Sequence, residues 1–236
     1  EHQQDLIQDV LELQAYIKYG ITLSYFARKN NLSKNLQKEY FRVQTSSIYF
    51  IMNPLPENYP EEYTKWIVHF FWRDFFVTPD VLIPRLETEC LVKRARQILQ
   101  APTNLPTYQP TTVIDIGCGS GIIGTSVADL VDEVIFLDIS ETALEVTKKN
   151  FQIHFPDKKA QFIISDLLSN FSPSYFLSPL SPLLFLTNLP YIKDEDWKNM
   201  SLDTQFEPKL ALFGGEKTGF ELYEKLFEQF SCLYES

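Results

Sequence analysis

Between Thr112 and Ile192 short, almost wholly apolar runs alternate with amphipathic stretches, and no other feature narrows the fold as far. TVIDIG, EVIFLDI, AQFIISD and LLFLTNLPYI are each too short for a core helix and carry the β-branched and aromatic residues that favour strands. GIIGTSVADLV and ETALEVTKKNF, which separate the first three of them, have helical spacing. Strands joined through helices cannot pair as hairpins; they lie parallel, buried on both faces, in a doubly wound sheet. The expected fold class is therefore α/β with a Rossmann-like sheet, in which ligands bind beyond the carboxyl ends of the strands.

The residues before the sheet read differently. QQDLIQDVLELQAYIKYG places Leu6, Val10, Leu13 and Ile17 at helical spacing and stops at Gly20. NLSKNLQKEYFRV opens on a capping residue, Ser33, and carries Leu36, Tyr40 and Val43 on one side. EEYTKWIVHFFWRDFF predicts a third helix with Trp66, Phe70 and Arg73 on one face. Residues 1–73 are thus expected to form a helical domain, 74–85 a β-hairpin linker around Thr78-Pro79-Asp80, and 86–236 the sheet domain. RLETECLVKRARQILQ predicts a helix with Leu91, Ala95 and Ile98 inward, and APTNLPTYQPT a surface loop. The terminal GFELYEKLFEQFSCLYES predicts one more amphipathic helix, with no further strand after LLFLTNLPYI.

Composition removes several classes of function. With 44% apolar and 22% charged residues the chain is ordinary globular material. A net charge of −10 without a dense Lys/Arg run argues against nucleic acid as the main partner. Cys90, Cys118 and Cys232 are far apart and lack metal-ligand spacing, which suits a reducing compartment and predicts neither a disulfide framework nor a metal site. No apolar stretch approaches a membrane span, so the expected location is the cytoplasm, without a membrane partner, and a monomer is favoured.

DIGCGSGIIG links the first strand to its helix. Gly117, Cys118, Gly119, Ser120 and Gly121 form a loop that lets a ligand approach the main chain. Gly119, Gly121 and Gly124 also match G-x-G-x-x-G, with Asp138 at the distance expected of a ribose contact, so a nicotinamide dinucleotide is a competing ligand. Asp115 tips the balance. A carboxylate beside the loop opposes a pyrophosphate but suits S-adenosyl-L-methionine, which has no phosphate and carries a sulfonium and an ammonium. Asp138 ends the second strand, where it can accept from both ribose hydroxyls, while Ser140 caps the next helix. Asp166 ends the third strand and is expected near the adenine edge.

TNLPY ends the fourth strand, where an acceptor would enter. Asn is a poor strand residue and Pro cannot donate to a ladder, so the sheet stops in a stiff, polar-tipped turn. An amide or exocyclic amino nitrogen is a weak nucleophile that cannot usefully be deprotonated near neutral pH. Its catalyst must aim the lone pair and stabilise the positive charge that develops. The Asn188 side-chain oxygen and the Leu189 carbonyl can each accept one N–H, Pro190 stiffens the turn and Tyr191 can pack on a planar acceptor. His2, His69 and His154 fall in predicted helices away from these motifs, in keeping with a reaction that needs no general base.

With these motifs in hand, FFVTPDVLIPRLETE, VIDIGCGSGIIG, TNLPYIKDEDW and FEPKLALFGGEKTGFELY together resemble the HemK/PrmC family of release factor glutamine N5-methyltransferases. The resemblance implies that Gly117–Gly121 and Asp138 bind S-adenosylmethionine, with Leu167 after Asp166 at the adenine pocket. It also implies that Asn188–Tyr191 hold the glutamine of the Gly-Gly-Gln loop of a class 1 release factor, which the helical domain helps to grip. Arg85, Glu87 and Glu89 match a Pro-Arg-x-x-Thr-Glu-like segment with a structural or site-closing role. The family usually reads Asn-Pro-Pro-Tyr, and Leu189 in place of the first proline gives up a fixed φ. Asn-Leu-Pro-Tyr also resembles the ribosomal RNA adenine dimethyltransferases, which the acidic balance and VLIPRLETE oppose. Family members continue with further strands, which suggests a piece of a longer chain. A complete chain of this length would instead suit a noncatalytic release-factor-binding module.

Overall fold

The computed structural model describes residues 56–101, 112–172 and 182–235. The helices expected from QQDLIQDV and NLSKNLQK, the loop around Asn104-Leu105-Pro106 and His2 lie outside them. The chain divides into two units, Glu1–Glu57 and Asn58–Ser236, and the second carries every element that follows.

Helix α1 (Glu61–Lys65) leads into a hairpin of β1 (Ile67–Phe70) and β2 (Arg73–Phe76). EEYTKWIVHFFWRDFF is one turn of helix and then a hairpin, and the hairpin lies at 67–76 rather than within 74–85, placing His69 on a strand. Ile67, Val68 and the phenylalanines favour extended backbone, and the Phe71–Trp72 turn has φ of 44° and 63° at its two residues, the double left-handed geometry that closes a two-residue hairpin. Asn-Gly usually marks such a turn, and two aromatic residues gave no such signal. The turn is held instead by Glu89 Oε1, which accepts from the Phe71 N–H at 3.2 Å.

Helix α2 (Thr88–Gln100) follows. It buries Val92, Ala95 and Leu99, whereas Ile98 is 40% exposed, so its inward face is rotated from the expected one. Then come β3 (Thr112–Ile116), α3 (Ile122–Val127), β4 (Glu133–Asp138), α4 (Glu141–His154), β5 (Ala160–Ile164) and β6 (Leu183–Thr187). The sheet is parallel, in the order β5-β4-β3-β6. Ser140 caps α4 as expected, its Oγ accepting from the Ala143 N–H at 3.2 Å. The C-terminal region adds β7 (Ile192–Lys193) paired with β8 (Phe213–Gly215), then α5 (Glu221–Glu235). The β7–β8 pair corrects the expectation of no strand beyond the fourth.

Alternation along the central strands divides the core. Val113, Val134 and Phe136 pack on one face with Val92, Ile123, Leu144, Phe151 and the hairpin's Phe70 and Phe75. Ile114, Ile116, Ile135 and Leu137 pack on the other with Leu226 of α5, and with Leu167, Leu168 and Leu189 from the carboxyl-end loops. Each such side chain contributes about 1.5–3 kcal/mol by leaving water. The chain leaves β3 for β4 and β5 on one side and returns for β6 on the other. A crevice therefore opens between the carboxyl ends of β3 and β6.

Candidate active site

The glycine loop rims this crevice. The N–H groups of Gly117 and Cys118 both donate to the Leu137 carbonyl, at 2.8 and 3.1 Å, folding the loop over the end of β4. Thr147 Oγ1 donates to the Gly119 carbonyl at 2.8 Å, and Asn150 Nδ2 donates to that of Ser120 at 2.8 Å. Asn150 is fully buried; its Nδ2 also donates to the Phe76 carbonyl at 2.8 Å and its Oδ1 accepts from the Phe76 N–H at 2.7 Å. One side chain thus ties the loop to the hairpin. Gly119 has φ +54° and nothing within 4 Å of where a Cβ would sit, because that space is the crevice. At Gly117, φ +65°, a Cβ would lie 2.8 Å from Leu189 Cδ2, so the loop and the TNLPY turn touch.

A cavity of about 310 Å³ lies here, lined by Gly117–Ser120, Asp138, Ser165–Leu167 and Asn188–Pro190, among others. Asp138 Oδ2 accepts from the Gly119 N–H at 2.8 Å and Oδ1 from the Ser140 N–H at 2.9 Å, with the Ile139 N–H and the Cys118 thiol also at the carboxylate, which lines the cavity as an acceptor for a ligand hydroxyl. Burial raises its pKa, and the backbone donors oppose that. Asp166 lines the cavity too, its carboxylate paired with Lys225 of α5; Leu167 beside it is buried at φ +55°. Gly121 caps α3 behind the loop.

Asp115 is placed differently from its expected position. It is fully buried behind the loop and absent from the cavity lining; Oδ2 accepts from the Gly124 N–H at 2.8 Å, and Oδ1 has no hydrogen-bond partner among the described residues. Burial pushes its carboxyl up to about 7, so it brings less negative charge to the ligand than its place in the motif suggests. Burial likewise raises the Cys118 thiol, which is no nucleophile.

The residues nevertheless fit a phosphate-free, cationic cofactor. Among the described residues the charged side chains lining the cavity are Asp80, Asp138, Asp166 and Arg85, and the guanidinium is already paired with Glu207. A pyrophosphate would meet carboxylates and no free cation, whereas a sulfonium and an ammonium are welcome there. When bound, S-adenosylmethionine supplies an electrophilic methyl group.

A second cavity, of about 380 Å³, adjoins the first and is lined by Glu87, Leu91, Tyr191, Ile192 and Met200, and again by Arg85, Thr88 and Asn188–Pro190. Asn188–Pro190 line both. Thr187 Oγ1 donates to the Ile116 carbonyl at 2.8 Å, pinning the end of β6 to β3. Asn188 Nδ2 donates to Thr88 Oγ1 at 3.2 Å, and Oδ1 has no partner among the described residues. The Leu189 carbonyl accepts from the Tyr223 hydroxyl at 3.2 Å, which leaves its second lone pair, and Tyr191 is 56% exposed.

Arg85 and Glu207 join the VLIPRLETE and EPKLALFGG segments. Glu207, 4% exposed, also accepts from the Ile83 N–H at 2.9 Å. Glu87 lines the second cavity and Glu89 holds the hairpin turn. Thr88, Asn150, Glu207 and Tyr223 were missed as site residues. Of these Glu207 had a signal, as the one carboxylate of EPKLALFGG. Among the described residues no His/Cys/Asp/Glu group could hold a metal ion, and no helix is long and apolar enough to cross a membrane.

The Methyltransferase small domain family matches residues 94–178. The chain is similar to a release factor glutamine methyltransferase of Bacillus anthracis, 31% identical over 204 residues that make up 85% of this chain and 69% of that protein. A protein of the same name from Enterococcus faecalis is 31% identical over 232 residues, 92% of this chain and 76% of that one. Another, from Chlorobaculum tepidum, is 32% identical over 171 residues, and this chain spans only 56% of its length.

Proposed function

Because this chain belongs to the release factor glutamine methyltransferase family, we propose that it transfers a methyl group from S-adenosylmethionine to the side-chain amide nitrogen of a glutamine in the Gly-Gly-Gln loop of a class 1 release factor. What carries the reading is Asn188, which stands on the wall shared by the two cavities with its side-chain oxygen unengaged among the described residues. The donor occupies the cavity under Gly119, and the acceptor amide enters through the other. Asn188 Oδ1 and the free lone pair of the Leu189 carbonyl each take one N–H of the amide. The nitrogen lone pair then points across the wall, and the two oxygens stabilise the charge that grows on nitrogen as its bond to the methyl carbon forms and the sulfur–methyl bond breaks; the nitrogen then releases one proton to water. Leu189 keeps its carbonyl in place without a proline ring, since its side chain is buried against Gly117 and its oxygen is held by Tyr223.

Radiolabelled methyl transfer to a purified class 1 release factor and to its Gln→Ala loop variant tests this. Label is expected on the first only, and Asn188→Ala is expected to lower kcat by about 10²–10³. Equal labelling of the loop variant would refute glutamine as acceptor, and unchanged turnover in Asn188→Ala would refute the mechanism.

A further inference from the structure

Leu167, at the wall of the donor cavity, sits in a left-handed backbone conformation that a leucine disfavours, and something must hold it there. Glycine would adopt that backbone without cost, yet the position carries a buried leucine whose side chain joins the core beneath the cavity. The two peptide groups that flank Leu167 are bridged by a single side chain from α5. Gln229 Oε1 accepts from the Leu168 N–H at 2.7 Å, and Gln229 Nε2 donates to the Asp166 carbonyl at 3.2 Å. The amide orientation is unambiguous, because one partner can only donate and the other only accept. One helical turn earlier, Lys225 pairs with the Asp166 carboxylate.

We propose that Gln229 is a positioning residue for the methyl donor. Its carboxamide spans the strained residue as a neighbouring strand would and sets the Asp166–Leu168 loop at the height at which Leu167 closes the cofactor cavity. Gln229 touches no ligand and acts through the loop. The assignment rests on the cofactor cavity being a donor site and is independent of what the acceptor is.

The test is calorimetric binding of S-adenosylhomocysteine, the demethylated product, to wild type, Gln229→Ala and Gln229→Glu, with circular dichroism to establish folding. Loss of both bonds in Gln229→Ala is expected to raise Kd by about 10–30-fold. A glutamate in its ionised form accepts from Leu168 but cannot donate to the Asp166 carbonyl, and it adds a second carboxylate beside the Asp166–Lys225 pair. Once protonated, it can do both. Gln229→Glu is therefore expected to bind poorly at pH 8 and to recover towards wild type, measured at the same pH, as the solution approaches about pH 4. Gln229→Ala should show no such recovery, a difference that general loosening of α5 does not produce. Should Gln229→Ala fail to fold, the pH-dependent recovery of Gln229→Glu decides the matter alone. Wild-type affinity in a folded Gln229→Ala, or a Gln229→Glu defect independent of pH, overturns the assignment. A wild-type chain that binds no S-adenosylhomocysteine overturns the donor site itself.

Discussion

Asp115 offers the sharpest test of the electrostatics behind the glycine loop. A carboxyl held at about 7 in the folded chain and near 3.9 in the unfolded one binds its proton more tightly when folded. Between these values the unfolded state carries fewer protons, so stability falls as pH rises. The penalty is small below pH 4, about 1–2 kcal/mol at pH 5 and about 4 kcal/mol at pH 8. Asp115→Asn removes the titration while keeping an oxygen for the Gly124 N–H. Whatever constant offset the amide brings, wild type should lose about 2–3 kcal/mol more than the variant between pH 5 and pH 8. Urea unfolding of both chains at several pH values, at constant ionic strength, reads this difference directly. Glu207, also raised by burial, titrates in both chains and cancels, whereas Asp138, whose charge helps to raise Asp115, enters the difference through that coupling. Parallel stability curves over that range would show that the buried oxygen without a partner is solvated or paired, and the reasoning would fail.

Gly119→Val places a β-branched side chain in the donor cavity at φ +54°, and should weaken S-adenosylhomocysteine binding more than 100-fold by calorimetry while costing only about 1–3 kcal/mol of stability by urea unfolding. Glu207→Ala leaves the Ile83 N–H and the Arg85 guanidinium without their buried partner and should cost about 3 kcal/mol in the same unfolding assay. Tyr223→Phe keeps the ring and deletes the hydroxyl on the Leu189 carbonyl. Methyl-transfer kinetics should show kcat lowered about 2–10-fold, with cofactor affinity unchanged by calorimetry.

Much of this molecule was written locally. Uniform apolar runs at TVIDIG and EVIFLDI mean burial on both faces, which only a parallel sheet between helices provides, so the fold class followed without coordinates. A glycine at φ +54° facing the crevice, Asp138 at a strand end and a turn spelled TNLPY are likewise properties of short segments, and the structure brings them together around the crevice.

What tertiary structure alone decided are the partners distant in sequence. The charge state of Asp115 depends on what covers it, and its burial beneath Gly124 cannot be read from the spacing of DIGCGSG. The hairpin at 67–76 escaped notice because its turn is made by Phe71 and Trp72 and held by Glu89 on α2 rather than by a turn dipeptide. Arg85 with Glu207, Asn150 with Phe76 and Ser120, and Tyr223 with Leu189 are each one hydrogen-bonding group meeting another many residues away. A sequence encodes backbone preference and hydrophobic period over a few residues, but which polar atoms must satisfy one another is settled only when the packed core brings them within about 3 Å.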